Sequence, residues 1–152
     1  MLAAMQALYE GRQEDAYRLL PPDDELTAPE AATFGRVERL RQLLDEDSGR
    51  VNEPSSDGFS PLHLAIFGGH ESTARLLIER GADLEAVSTS PIAQVRPLGT
   101  AANFRALELG RILLEAGADP DGRNPQGHTA MDTAKANDDE AFAALLREFG
   151  AS

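Results

Sequence analysis

Ser60 and His63 stand one helical turn apart, a spacing at which an imidazole can take a proton from a hydroxyl nucleophile. Acyl or phosphoryl transfer also needs donors for the developing oxyanion, and no third residue in the sequence suggests such a site. The remaining histidines, His70 and His128, form no pair at a zinc-binding interval. Carboxylates cluster at Asp23-Asp24-Glu25, Asp45-Glu46-Asp47 and Asp138-Asp139-Glu140, where metal or acid–base chemistry is conceivable. None of these runs has the alternating spacing and central glycine of a calcium loop. They read instead as solvated loops and helix starts, where negative charge is favoured by the helix dipole. Gly58 and Gly68-Gly69 do not form a phosphate loop, because no Gly-Lys-Ser/Thr follows them. The chain has no cysteine, which removes thiol catalysis, disulfides and thiolate metal sites together. No catalytic residue, cofactor or metal site is expected.

Charge narrows the partners. Twenty-six acidic residues against 14 basic ones give a net charge of −12, a field that repels nucleic acid and anionic membranes. A charged partner is therefore expected to be basic. The 152 residues suffice for one domain, and with 5% aromatics and no Trp its core must come from Leu, Ala, Ile and Val. The apolar runs are too short to span a bilayer, and Met1–Glu10 lacks the basic flank and apolar stretch of a signal peptide. A cytoplasmic location is expected.

What must position any functional residue is a repeat. Asp57–Ala86 reads DGFSPLHLAIFGGHESTARLLIERGADLEA, and the pattern recurs 36 residues after Pro61 from Pro97 (PLGTAANFRALELGRILLEAGAD). A third copy begins at Asn124 (NPQGHTAMDTAKANDDEAFAALLREFG), and its second half also appears at Ala31–Leu44 and Ala7–Leu20. In the clearest copy, Asp57-Gly58 signals a turn and Ser60 caps a helix opened by Pro61. Gly68-Gly69 ends that helix. Ala74, Leu77 and Ile78 give the next helix an apolar face, and Gly81 stops it. Helices are predicted at 2–10, 13–20, 28–34, 37–46, 61–67, 71–80, 97–104, 107–116, 130–136 and 140–148. None is long enough to be stable alone, so the units must stack.

Ser60-Pro61-Leu62-His63-Leu64-Ala65, Gly69-His70 and Gly81-Ala82-Asp83 resemble the ankyrin repeat motifs T-P-L-H-x-A, G-H and G-A-D. The resemblance covers nearly the whole chain and is closest to small free-standing bacterial ankyrin repeat proteins. It implies an all-α solenoid of about five stacked helix-turn-helix units, with polar capping units at both ends and β-hairpin fingers between the later repeats. The units divide as an N-terminal capping pair (1–26), repeats at 27–52, 53–86 and 87–119, and a C-terminal capping repeat (120–152). The stretch 86–96 is an extended loop, three residues longer than its counterpart and without an Asp-Gly turn. Only 24 residues separate Leu19 from Leu43, so Pro21–Glu25 must be a tight connection. The resemblance also assigns Ser60 and His63 to tying one repeat to the next, and His70 to structural hydrogen bonds.

By the same resemblance, finger tips and the exposed side of each first helix form a concave binding face. Matching positions are Asp57 and Phe59 on one finger, Ile92, Gln94 and Val95 on the long one, and Gln126 and His128 on the last. The helix positions carry Thr33 and Phe34, then Phe67, then Asn103 and Phe104, then Asn137. Four phenylalanines together suggest a partner site, although each can instead pack as core. The expected function is a non-catalytic protein-binding module, monomeric, with an unidentified protein partner. Two alternatives stand beside it: a homo-oligomer using the same face, and a metal-assisted hydrolase using an acidic cluster.

Overall fold

The computed structural model describes residues 2–152, and among them it contains only helices, turns and loops. Ten α-helices follow in order: α1 (Ala3–Tyr9), α2 (Gln13–Arg18), α3 (Ala28–Thr33), α4 (Val37–Glu46), α5 (Pro61–Gly68), α6 (Glu71–Glu79), α7 (Pro97–Asn103), α8 (Leu107–Glu115), α9 (Ala130–Ala136) and α10 (Glu140–Glu148). Every boundary falls within two residues of the sequence expectation. The tight connection after α2 is a 3-10 turn at Asp23–Glu25, and a second such turn, Ser48–Asn52, follows α4.

Local chemistry sets the helix starts. Thr27 and Thr129 close reciprocal caps with Glu30 and Asp132, and the Ser60 hydroxyl accepts from the His63 amide at 3.3 Å. Arg96, at the equivalent position before Pro97, makes no such bond. Helices of this length need tertiary partners. They find them in two layers: α3, α5, α7 and α9 pack in sequence side by side, with α4, α6, α8 and α10 behind them. One apolar core runs from Leu26 to Leu146 through both layers.

Small residues let the inner layer close up. Ala31, Ala32, Ala65, Ala101, Ala102 and Ala134 are fully buried. A side chain at Gly68 would collide with the Thr33 carbonyl oxygen, so glycine is required where α5 meets the end of α3. The N-terminal pair α1–α2 is held differently. Ala4, Met5, Ala7 and Ala16 form a separate small cluster with Phe34 and Leu64.

The expected β-hairpin fingers are absent as strands among the described residues. Each loop has one backbone cross-bond between its arms: Ser55 N–H to the Phe59 carbonyl at 2.8 Å, Ser88 N–H to the Val95 carbonyl at 3.0 Å in the long loop, and Asn124 N–H to the His128 carbonyl at 3.0 Å. A ladder needs a longer alternation of paired residues on both arms. Pro54 beside the first tip and Pro125 within the last each withhold a donor.

Candidate functional site

In each unit the residues at the end of the inner helix stand just before a left-handed turn residue: Gly11, Gly35, Gly69, Arg105 and Asp138. Tyr9 and Phe67 both lie two positions before that residue, and Phe104 lies one before. Their rings meet. Tyr9 and Phe67 have centroids 5.2 Å apart, and Phe67 and Phe104 5.3 Å apart, so three units contribute one row of aromatic rings. Phe67 is half-buried, while Phe104 is 50% exposed.

Asp57 and Phe59 from one neighbouring loop and Ile92, Ala93 and Val95 from the other line the same groove as this row. Together they bound an apolar groove of about 450 Å³. Leu64, Thr100 and Asn103 also line it. Ile92, at the tip of the long loop, is 88% exposed. Asp57 accepts hydrogen bonds from the Tyr9 hydroxyl at 2.6 Å and from the Ser55 hydroxyl. Burial, with the adjacent Asp57 carboxylate, pushes the Tyr9 phenol well above its ordinary range, so this hydroxyl remains a donor.

The second unit departs from the expected pattern. Phe34 is buried at 2% exposure, its ring edge-on to Tyr17 at 5.4 Å and in the small cluster under α1–α2. Thr33 is fully buried and donates to the Pro29 carbonyl. Alanines at 4, 7 and 16 leave room in the cap for a large ring, and Phe34 fills it. The expectation that Phe34 faces a partner is therefore corrected: it packs the N-terminal helices.

Other candidates lie outside the groove. Gln126 donates to Gln94 at 3.0 Å, linking adjacent loop tips, and both border a separate depression. His128 is exposed beside a smaller hollow between the last two units. Asn137 is half-buried and donates to the Ala102 carbonyl at 3.4 Å. Tyr9 was not among the candidates, although its place two residues before Gly11, matching Phe67 before Gly69, marks it in the sequence.

The Ser60–His63 pair is committed to structure. The His63 Nε2–H donates to the Val95 carbonyl at 2.9 Å, which leaves Nδ1 to accept from the Ser60 hydroxyl at 2.7 Å. Both residues are buried, and the imidazole joins α5 to the loop before α7. His70 accepts or donates at 3.0 Å with the Tyr17 hydroxyl, fastening α2. The acidic runs serve as ion pairs and caps: Asp45 pairs with Arg80 at 2.8 Å, Asp47 accepts from the Gly49 amide, and Asp139 accepts from the Phe142 amide. Among the described residues, no three acidic or histidine side chains are placed to hold a metal ion, and no helix is long and apolar enough to cross a membrane.

The family model for ankyrin repeats (three copies) matches residues 1–88. Similar proteins include ankyrin repeat and SAM domain-containing protein 6 of Mus musculus, 32% identical over 113 residues, covering 72% of this chain and 13% of that protein. A transient receptor potential cation channel subfamily A member 1 homolog of Caenorhabditis elegans is 29% identical over 155 residues, covering 83% and 13%. Ankyrin repeat domain-containing protein 49 of Homo sapiens is 40% identical over 58 residues, covering 38% and 24%. The chain thus spans a small fraction of the length of these relatives. Ankyrin repeats serve generally in protein–protein interaction. With the family model matching more than half its length, the chain belongs to the ankyrin repeat family.

Proposed function

We propose that the chain is a non-catalytic module of the cytoplasm that binds a partner protein through the inner-helix groove and the loop tips. The row of Tyr9, Phe67 and Phe104 carries this reading, because a contiguous set of rings, two half-buried and one exposed, lining one apolar groove is a usual mark of an interaction site. Aromatic anchors in such grooves supply most of the binding energy. The net charge of −12 favours a basic partner and opposes nucleic acid. Five units, divided at 26/27, 52/53, 86/87 and 119/120, are the proposed repeats. Gln94, Gln126, His128 and Asn137 lie along the same series of loops and helix ends, as an outer part of the face.

Capture of partners from the native extract by the wild-type chain and by a Phe67→Ala, Phe104→Ala variant tests the proposal. Phe104 is half-exposed, so its truncation should shift the unfolding free energy by less than about 1 kcal/mol, whereas a core phenylalanine loses about 3–5 kcal/mol. Lost capture with a retained fold supports the groove. A loss of several kcal/mol at both positions assigns them to packing instead. Light scattering on the same samples separates a foreign partner from a second copy of this chain.

A further inference from the structure

Asp57 is the one carboxylate among the residues lining the groove, and no lysine or arginine lines it. Tyr9 stays neutral, and His63 is buried with both ring nitrogens engaged. The arginines on adjoining segments are held elsewhere: Arg12 by Glu10 and Asp15, Arg96 by Glu85 and the Arg123 carbonyl, and Arg105 by the Asn137 carbonyl. Among the described residues, then, the groove carries one negative charge and no cation. Successive contacts order its groups: the Asp57 carboxylate meets the Tyr9 hydroxyl, the Tyr9 ring meets Phe67, and Phe67 meets Phe104.

We infer that this end of the groove recognises a basic side chain, an arginine or lysine on an extended segment of the partner protein, with its charged head on Asp57 and its aliphatic stem along the aromatic row. The inference rests on the groove being the binding face. A carboxylate offers about four acceptor sites, and here two are occupied by hydroxyl donors, so acceptor capacity remains. Those two bonds also fix the carboxylate in place before a ligand arrives, which reduces the ordering that binding requires. Long basic side chains pair an apolar stem with a charged tip, and aromatic faces attract such cations. Charge complementarity chooses this occupant over an apolar or acidic one.

The test pans a random peptide library against the whole chain, with the Phe67→Ala, Phe104→Ala variant as counter-selection. Enriched peptides should carry arginine or lysine at one position beside apolar residues. Replacing that residue by norleucine should weaken binding about tenfold. Asp57→Asn keeps an acceptor for Tyr9 and should weaken the basic peptide about as much while leaving its norleucine version unchanged. Ala93→Lys leaves Asp57 and its partners in place but adds a competing cation, and should likewise weaken the basic peptide more than the norleucine one. Thermal midpoints of both variants report whether the fold is retained. Enriched peptides without a basic position, or a preference for the basic residue that persists in both variants, overturn the inference while leaving the groove reading intact. Absence of any enrichment over the counter-selecting variant overturns the groove reading, and the inference falls with it.

Discussion

The Tyr9 hydroxyl donates a 2.6 Å hydrogen bond to the Asp57 carboxylate, joining the first helix to a turn 48 residues further along the chain. This contact adds a polar tie to the small cluster on which α1–α2 rests, where three of the buried residues of the pair are alanines and Met5, Phe34 and Leu64 supply the larger side chains. Each alanine buries little area, so the apolar part of docking falls to the larger side chains around them. Two tyrosine hydroxyls, Tyr9 on Asp57 and Tyr17 on His70, supply directional ties.

Tyr9→Phe keeps the ring against Phe67 and deletes the bond. A bond to a charged acceptor at a partly exposed site contributes about 1–2 kcal/mol, and urea unfolding should show a loss of that order. Amide exchange should accelerate in α1 and α2 while α7–α10 keep their protection. Uniform acceleration along the chain would contradict a docked cap with its own stability.

The third and fourth units offer a matched comparison of helix starts. Ser60 caps α5 and also holds the His63 imidazole, whereas Arg96 supplies no cap to α7 and Gly99 stands where the motif histidine would be. Removing a serine cap loses about 1 kcal/mol, and Ser60→Ala additionally leaves the buried Nδ1 without its donor. Ser60→Ala should therefore lower stability by about 1–3 kcal/mol. In the wild-type chain, amides of Arg96–Ala101 should exchange faster than those of Ser60–Ala65. Equal protection in the two segments would remove the argument.

Acid should loosen the stack through two imidazoles. Burial pushes His63 below its ordinary value of 6.5, against the opposing pull of the Val95 carbonyl and then the Asp83 carboxylate. His70 is lowered in the same direction, first by burial and then by the neighbouring Arg36. The unfolded chain therefore takes up these protons more readily than the folded one. Their stabilisation is present above about pH 6.5 and is lost as pH falls from there toward the lowered folded values. An NMR titration should place the His63 imidazole below 6.5, and His63→Asn should flatten the dependence of unfolding free energy on pH over this window. A His63 titration at or above 6.5 would refute the account.

The helices were legible in the sequence because each carries local signals: Pro61 and Pro97 at starts, Gly35 and Gly69 at stops, and leucines at helical spacing between them. Phe34 was misplaced because motif position alone says which way a residue points in an average repeat. Its actual direction depends on Ala4, Ala7 and Ala16, distant in sequence, which leave a space that a ring fills. Motif position misses Tyr9 for the converse reason. Its unit lacks the T-P-L-H motif, yet the spacing of Tyr9 to Gly11 repeats that of Phe67 to Gly69. The expected strands failed because proline and a single cross-bond suffice to make a turn and not a ladder.

The long loop supplies the last prediction. Ser88 is buried; its hydroxyl donates to the Ala93 carbonyl at 2.6 Å and accepts from the Val95 amide at 3.0 Å. The Thr89 amide donates to the Gly58 carbonyl, anchoring the loop to the preceding tip. Ile92 is thus presented to solvent by a braced segment, and a braced contact loses less conformational freedom on binding than a loose one. Replacing Pro91–Val95 with Gly and Ser should weaken partner capture without unfolding the chain, since α5 and α7 pack directly on one another and the His63 contact is to backbone. Two point variants divide the effect. Ile92→Ser removes the exposed side chain and leaves the brace, while Ser88→Ala removes the brace and leaves Ile92. If the loop acts as a preorganised contact, both weaken capture, and Ser88→Ala also speeds amide exchange across 88–95. Weakening by Ile92→Ser alone makes the brace irrelevant to binding. Full capture by both variants removes the loop from the binding face and leaves the Tyr9, Phe67 and Phe104 row as its contact surface.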